Sequence, residues 1–155
     1  IHDSADPRLR RNRIHDGKAS GIFVHKNGRG TLEDNDIFAN TATGVAIAAG
    51  GDPILHCNRI HDGKTIGIFV SENGRGTLED NDIFANASTG LEVKQGGLPI
   101  VRGNRITKNK GRGIYVHASG GGTFENNDLR ENEKGPWEID ESSQANVMKS
   151  GNIEK

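Results

Sequence analysis

The segment Gly28–Asn40, GRGTLEDNDIFAN, occurs again letter for letter at Gly74–Asn86, 46 residues later. Half of that interval is the underlying repeat. Asn12-Arg13-Ile14, Asn35-Asp36-Ile37, Asn58-Arg59-Ile60, Asn81-Asp82-Ile83, Asn104-Arg105-Ile106 and Asn127-Asp128-Leu129 follow one another at steps of 23 without slippage. A second series keeps the same step: Gly21-Ile22-Phe23-Val24, Gly44-Val45-Ala46-Ile47, Gly67-Ile68-Phe69-Val70, Gly90-Leu91-Glu92-Val93, Gly113-Ile114-Tyr115-Val116 and Pro136-Trp137-Glu138-Ile139. Two registers that agree over six copies define a repeat architecture, and the longer identity marks duplication of a two-unit block.

Within one unit the apolar residues fall in short alternating pieces, Ile22 and Val24, then Leu32, then Ile37, separated by Gly and Asn. That is strand periodicity, with no stretch of helical spacing. Three short strands and three turns per unit describe one coil of a parallel β-helix, an all-β solenoid whose strands stack on their counterparts at ~4.8 Å. About six such coils make a rod roughly 30 Å long. Leucine-rich repeats need a Leu and Asn spacing that is absent, hexapeptide helices need multiples of six, and a propeller blade would not carry a half-repeat. The domain expectation is one β-helix over 1–155: an abbreviated first coil at 1–20, five regular coils at 21–135 and a closing coil at 136–155.

Composition agrees once the fold is in view. Ile, Val, Leu and Phe number only 34 of 155 residues, close to the level at which chains stay disordered, yet 20 basic residues balance 21 acidic ones. A narrow column needs few apolar residues, about four per coil: Ile22, Val24, Leu32 and Ile37 in one, their counterparts through Ile114, Val116, Phe124 and Leu129 in the last. The excess is in 22 Gly and 15 Asn, which the reading assigns to turns. Asn35, Asn58, Asn81, Asn104 and Asn127 fall at one turn and Asn40, Asn86, Asn109 and Asn132 at another, where stacked amides form ladders along the axis.

A net charge of −1 removes the electrostatic footprint of a nucleic-acid or anionic-membrane binder. No apolar run approaches a membrane span, and residues 1–30 lack the apolar core of a signal peptide. Cys57 is the only cysteine, so neither a disulfide framework nor a thiolate metal cluster is expected, and a reducing, cytoplasmic setting is favoured unless an upstream secretion signal has been removed.

Outward positions also stack into rows. Arg13, Asp36, Arg59, Asp82, Arg105 and Asp128 alternate in sign, as do Arg10, Glu33, His56, Glu79, Arg102 and Glu125, and both read as devices that fix coil register. His15, Phe38, His61, Phe84, Thr107 and Arg130 form a packing row. His15 and His61, two coils or ~9.6 Å apart, are too distant to share a metal ion, and no metal or cofactor is expected. The row that invites a function is the outward position of the Gly-Ile-x-Val strands: Phe23, Ala46, Phe69, Glu92, Tyr115 and Glu138. Exposed aromatics on a flat sheet suit sugar rings or peptide side chains. Phe23, Phe69, Glu92, Tyr115, Lys94 and His117 are therefore the candidate binding residues. Glu92 and Glu138, with Tyr115 between them, are the only candidates for catalysis, at the outer edge of the carboxylate separation used by inverting glycosidases. Lys108, Lys110 and Arg112 read as a solvated basic turn.

The units GIFVHKNGRGTLEDNDIFAN and GGDPILHCNRIHDGK resemble the right-handed β-helix repeats of the pectin-lyase-like architecture, and are similar to repeats of F-box only protein 11-type ubiquitin-ligase substrate receptors and of related bacterial proteins. The resemblance supplies the hand of the coil. It implies a non-enzymatic recognition module for a protein or peptide on the Gly-Ile-x-Val face. The alternatives are a carbohydrate-binding, polysaccharide-cleaving or epimerising protein using the same face, and a passive spacer. If the chain is an enzyme, the resemblance implies a polysaccharide lyase or glycoside hydrolase. The row Phe23, Ala46, Phe69, Glu92 is not the calcium-binding Asp cluster of pectate lyases, polygalacturonase motifs are absent, and Gly51-Asp52-Pro53-Ile54 departs from the DPHD signature of alginate epimerases.

At the N-terminus Ile1-His2-Asp3 mimics Ile14-His15-Asp16, which reads as deletion of most of a coil and leaves an uncapped end open to end-to-end self-association. At the C-terminus the period slips, with Ser150 where asparagine is due and Asn152 two places late.

Overall fold

In Thr31-Leu32-Glu33 an apolar residue sits between two polar ones, and in Ile22-Phe23-Val24 the order is reversed. On a pleat of period two, the first strand buries its centre and the second buries its ends. The computed structural model, which describes residues 1–155, builds these strands into a right-handed parallel β-helix of three sheets. The first sheet has seven strands, from Arg8–Arg10 through Thr31–Glu33, Ile54–His56, Thr77–Glu79, Ile100–Arg102 and Gly122–Glu125 to Val147–Ser150. The second has five, from Arg13–His15 to Arg105–Thr107, and the third has six, from Ile22–Val24 to Trp137–Ile139. Every pairing is parallel, and Leu32 meets Leu55, Ile37 meets Ile60 and Val24 meets Ile47 one coil away.

The core is one column of 20 buried side chains. These are the residues that alternation selects: two from each of the first five third-sheet strands, one from each of five first-sheet strands, one from each of four second-sheet strands, and Leu129.

Asparagine closes the corner between the first and second sheets. The Asn81 carboxamide oxygen accepts from the Asn58 backbone N–H and from its Nδ2, at 3.0 Å each. Its own Nδ2 donates back to Leu55 O and forward to Asn104 Oδ1. The pattern runs from Asn12 to Asn152. A second ladder passes through Asn86, Asn109 and Asn132. In its column Gly17 and Gly63 donate their backbone N–H to Asn40 and Asn86. The residue before each first-ladder asparagine is left-handed, including Asp34, Cys57 and Asp80 at φ of 54°, 55° and 53°. Turn conformation is thus carried mostly by non-glycine residues. The row Gly21, Gly44, Gly67, Gly90 and Gly113 has a different cause. A Cβ on Gly67 would lie 2.6 Å from Gly90 O and 2.7 Å from Ile83 Cγ2, so glycine is required there by close approach of the next coil.

The deletion expected at the N-terminus is not there. The Ile1 carbonyl accepts from His25 N–H as Val24 O does from Ala48, so Ile1 occupies the Val24 position of the preceding coil. The 23-residue register holds from the first residue, and Ile1-His2-Asp3 corresponds to Val24-His25-Lys26. Ile1, Leu9 and Ile14 pack partly buried against the end of the core. At the other end the slip is absorbed by a 3-10 helix, Glu141–Asn146. Val116 still pairs with Ile139 but Gly122 pairs with Val147, and Asn152 takes the ladder position beneath Asn127. Trp137 meets Phe124 edge to face at 5.5 Å, packed against the core's last layer.

Asn81→Ala strips both acceptor bonds from Asn58 and leaves Leu55 O and Asn104 short of a donor, so it should cost about 3 kcal/mol or more at ~1–3 kcal/mol per unpaired buried group. Asn12→Ala, at the exposed end of the ladder, should cost about 1 kcal/mol. Urea denaturation followed by circular dichroism measures both, and equal effects would show that the ladder is not the closure. Gly67→Ala should destabilise by about 1–3 kcal/mol, as overpacking does, in the same assay.

Candidate functional site

The outward row of the third sheet is in register through its length: Phe23 beside Ala46, Ala46 beside Phe69, Phe69 beside Glu92, Glu92 beside Tyr115, Tyr115 beside Glu138. It brings all the candidate residues onto one face, but with unequal exposure. Phe23 is 46% exposed, its ring stacked on His25 at 4.3 Å. Phe69 and Tyr115, expected in the open, are half-buried. The Lys94 ammonium lies 5.2 Å over the Phe69 ring and the His117 imidazole stacks on Tyr115 at 4.2 Å. Lys94, one coil and two residues on from Phe69, and His117, two residues on from Tyr115 in the same coil, each cover one face of a ring.

Ala46 is too small to fill the space between two phenyl groups. The result is a shallow depression of ≈ 230 Å³ lined by Phe23, Ala46, Ala48 and Phe69, with Ser71 and Glu72 at its rim. Sequence reasoning passed over Ala46 and Ala48 because a small residue makes a site by what it leaves vacant. The lower half of the face is polar. His117 Nε2 and Glu92 Oε1 are 3.0 Å apart, and Arg112 Nε donates to Glu138 Oε2 at 3.1 Å. Arg112 therefore belongs to this face, not to a solvated basic turn, and Lys108 of that turn pairs with Glu131 at 3.7 Å. The missed signal is the diagonal offset, one coil plus two or three residues, at which long side chains meet.

Tyr115 holds its phenolic proton above the ordinary range, first because of burial and then because of the carboxylates of Asp140, Glu138 and Glu92. It presents a neutral O–H donor at physiological pH. Glu92 and Glu138 are two coils, ~9.6 Å, apart, and each is tied to a basic side chain. That arrangement suits recognition of hydroxyls better than the acid and base of inverting hydrolysis, one of which must stay protonated.

The other rows hold the coils together. His15, Phe38, His61 and Phe84 stack at 4.7, 5.3 and 4.7 Å, and His61 is clamped by Asp36 at 2.9 Å and Asp62 at 2.6 Å. In the alternating row Asp36 takes Arg59 at 3.4 Å and Arg13 at 3.9 Å, and Asp82 takes Arg105. The pairing between coils ends at Asp128, which turns to Arg130 at 2.8 Å on its own coil. No group of three His, Cys, Asp or Glu side chains converges to hold a metal ion, and no helix is long and apolar enough to cross a membrane.

Three parallel sheets around a single column, coiled to the right, define the class. A family model described as right-handed β-helix region matches residues 1–152, and the chain belongs to that family. Among solved structures it is similar to the periplasmic alginate epimerase AlgG, with a TM-score of 0.90 at 20% identity over 98% of this chain and 40% of that one. The A-module of the mannuronan C-5 epimerase AlgE6 of Azotobacter vinelandii matches with a TM-score of 0.66 at 14% identity, over 96% of this chain and 54% of that one. At these identities the likeness is one of fold, and the chain spans about half the length of these proteins or less. No curated protein matches the chain, and the comparisons show no likeness to F-box receptor repeats.

Because Tyr115 is the only tyrosine, ultraviolet absorbance reports its ionisation alone. The titration should have its midpoint above the ordinary value of about 10. Glu138→Gln should lower that midpoint only partly, since burial is the larger cause. The folded chain holds the Tyr115 proton more tightly than the unfolded one, so what Tyr115 contributes to stability should be constant below about pH 10 and be lost as pH rises through the window above it. A midpoint at or below the free value would show that Tyr115 is open to water.

Proposed function

We propose that the chain binds a polysaccharide lengthwise along the outward face of the third sheet. The observation that carries this reading is the spacing of the aromatics: Phe23, Phe69 and Tyr115 recur every second coil, ~9.6 Å apart, about the length of a disaccharide. Between them stand a small residue, Ala46, and an acidic one, Glu92. The ring faces that His25, Lys94 and His117 leave open take the C–H faces of alternate sugar rings, and Glu92, His117, Arg112 and Glu138 take ring hydroxyls. Lys94 pairs with no carboxylate and lies on Phe69, placed to meet an acidic sugar. The likeness to alginate epimerases, proteins named for action on a polysaccharide, supports the class of ligand. It does not bring their activity with it, because Gly51-Asp52-Pro53-Ile54 lacks their signature. A peptide partner would use the same residues but draws no support from the comparisons.

Isothermal titration with a polyuronate and with neutral glycans tests the reading. Phe69→Ala with Tyr115→Ala should weaken glycan binding at least about tenfold, since an aromatic stack contributes ~0.5–1.5 kcal/mol. Lys94→Ala should weaken the polyuronate selectively. Full affinity in the double variant, or glycan silence of the native chain together with a protein partner lost in that variant, would overturn it.

A further inference from the structure

The first sheet carries a second unused surface, and its chemistry points to another copy of the same chain. Four of the six exposed large apolar residues lie on this side: Ile54 at 47%, Leu98 at 42%, Ile100 at 37% and Met148 at 65%. Ile54, Ile100 and Met148 belong to one outward row, Arg8, Thr31, Ile54, Thr77, Ile100, Thr123, Met148, in register across all seven strands. Five of its seven residues are β-branched, with the isoleucines exposed and the threonines half-buried. Beside it runs the charged row Arg10, Glu33, His56, Glu79, Arg102, Glu125. On the other side Asp6, Arg29 and Asp52 border, with Thr31, Ile54 and Thr77, a depression of ≈ 490 Å³.

Ion pairing within the chain does not exhaust the charged row. Arg102 holds Glu125 at 2.8 Å, Glu33 takes Arg8 at 2.5 Å and Arg10 at 3.6 Å, and Arg10 also reaches Asp34 at 3.5 Å. His56 stands 3.6 Å from Asp80, leaving Glu79 without an ion partner. All six side chains are exposed or half-buried.

A row that alternates in sign over an even number of places is complementary to itself reversed. We propose that two copies of this chain pack face to face through the first sheet, about a two-fold axis parallel to the strands that passes between the third and fourth coils. That operation keeps each row opposite itself and reverses its direction, the isologous contact of a symmetric dimer. Arg10 then faces the partner's Glu125, Glu33 the partner's Arg102, and His56 the partner's Glu79. In the apolar row Ile54 meets the partner's Thr77 and Thr31 the partner's Ile100, while in the flanking row Asp52 meets the partner's Arg75. No like charges oppose each other. Moving the axis by half a coil sets Arg10 against the partner's Arg102 and Glu33 against the partner's Glu79, so the charges fix the register, as opposed charges do in specific interfaces. An axis along the rod over the apolar stripe would instead set Glu33 against the partner's Arg29 and Arg102 against the partner's Leu98, a contact that exchanging the charges of Glu33 and Arg102 would not restore.

Six strands of each copy overlap under this operation, Met148 on the seventh lying beyond the overlap, and six strands at ~4.8 Å with three outward rows about 7 Å apart give roughly 600 Å² per copy. About 1,200 Å² in total is the lower limit for a specific complex, which makes the dimer a reversible one.

Sedimentation equilibrium of the full chain over a wide concentration range should show a monomer–dimer equilibrium that weakens as salt is raised. Ile54→Arg with Ile100→Arg should weaken association at least about tenfold, ~1.4 kcal/mol, with an unchanged melting temperature. Glu33→Arg alone and Arg102→Glu alone should each weaken it similarly, and the two together should restore it, since the pair is only exchanged across the axis. Phe69→Ala with Tyr115→Ala should leave it unchanged. A monomer at every concentration, polymers growing past the dimer through the ends of the rod, or a dimer indifferent to the Ile54 and Ile100 changes would overturn the proposal.

Discussion

Everything in this molecule depends on a bond made once per coil, from one asparagine to the next. The Asn81 carboxamide satisfies two donors of Asn58 and returns its own protons to Leu55 and Asn104. A corner that would otherwise leave buried backbone groups unpaired is closed by a side chain that repeats with the same period as the backbone. Strands only three or four residues long are far too short to pair stably alone. They are held because each corner fixes the position of the next strand, and the aliphatic column then fills from coils already in register.

The fold was legible in the sequence because that bond leaves a mark. Asn35, Asn58, Asn81, Asn104 and Asn127 announce the period, and alternation picks out the same 20 core residues that are buried. Three things were hidden, each for a physical reason. Glycine and left-handed turns are easily equated, yet Asp34, Cys57 and Asp80 hold the positive φ, while Gly67 is needed because a neighbouring carbonyl lies 2.6 Å from where its Cβ would be. The likeness of Ile1-His2-Asp3 to Ile14-His15-Asp16 is one of letters, and hydrogen bonding to His25 assigns Ile1 its true place. The two surplus residues near the C-terminus could be counted, but their disposal in a 3-10 helix could not.

The candidate site was legible in position and only partly in character. Rows follow from the period, so Phe23, Phe69, Glu92 and Tyr115 were placed on one face by arithmetic. Their environment was not, because it is set by neighbours outside the row, on the diagonal or two residues along. Lys94 over Phe69 and His117 on Tyr115 turn an open aromatic strip into a mixed one, and Arg112 reaches Glu138 from one coil and three residues away. Register arithmetic gives vertical contacts, whereas contacts across the grain depend on side-chain length.

The alternating rows constrain how such a chain can grow. Sign reverses at each coil, so insertion of one 23-residue unit would set two like charges next to each other at one junction in every row, while insertion of two would leave each row as it was. The verbatim copy of Gly28–Asn40 at Gly74–Asn86 is an insertion of the second kind. Electrostatics on the surface thus acts as a parity rule on the gene, under which rods of this type lengthen by even numbers of coils.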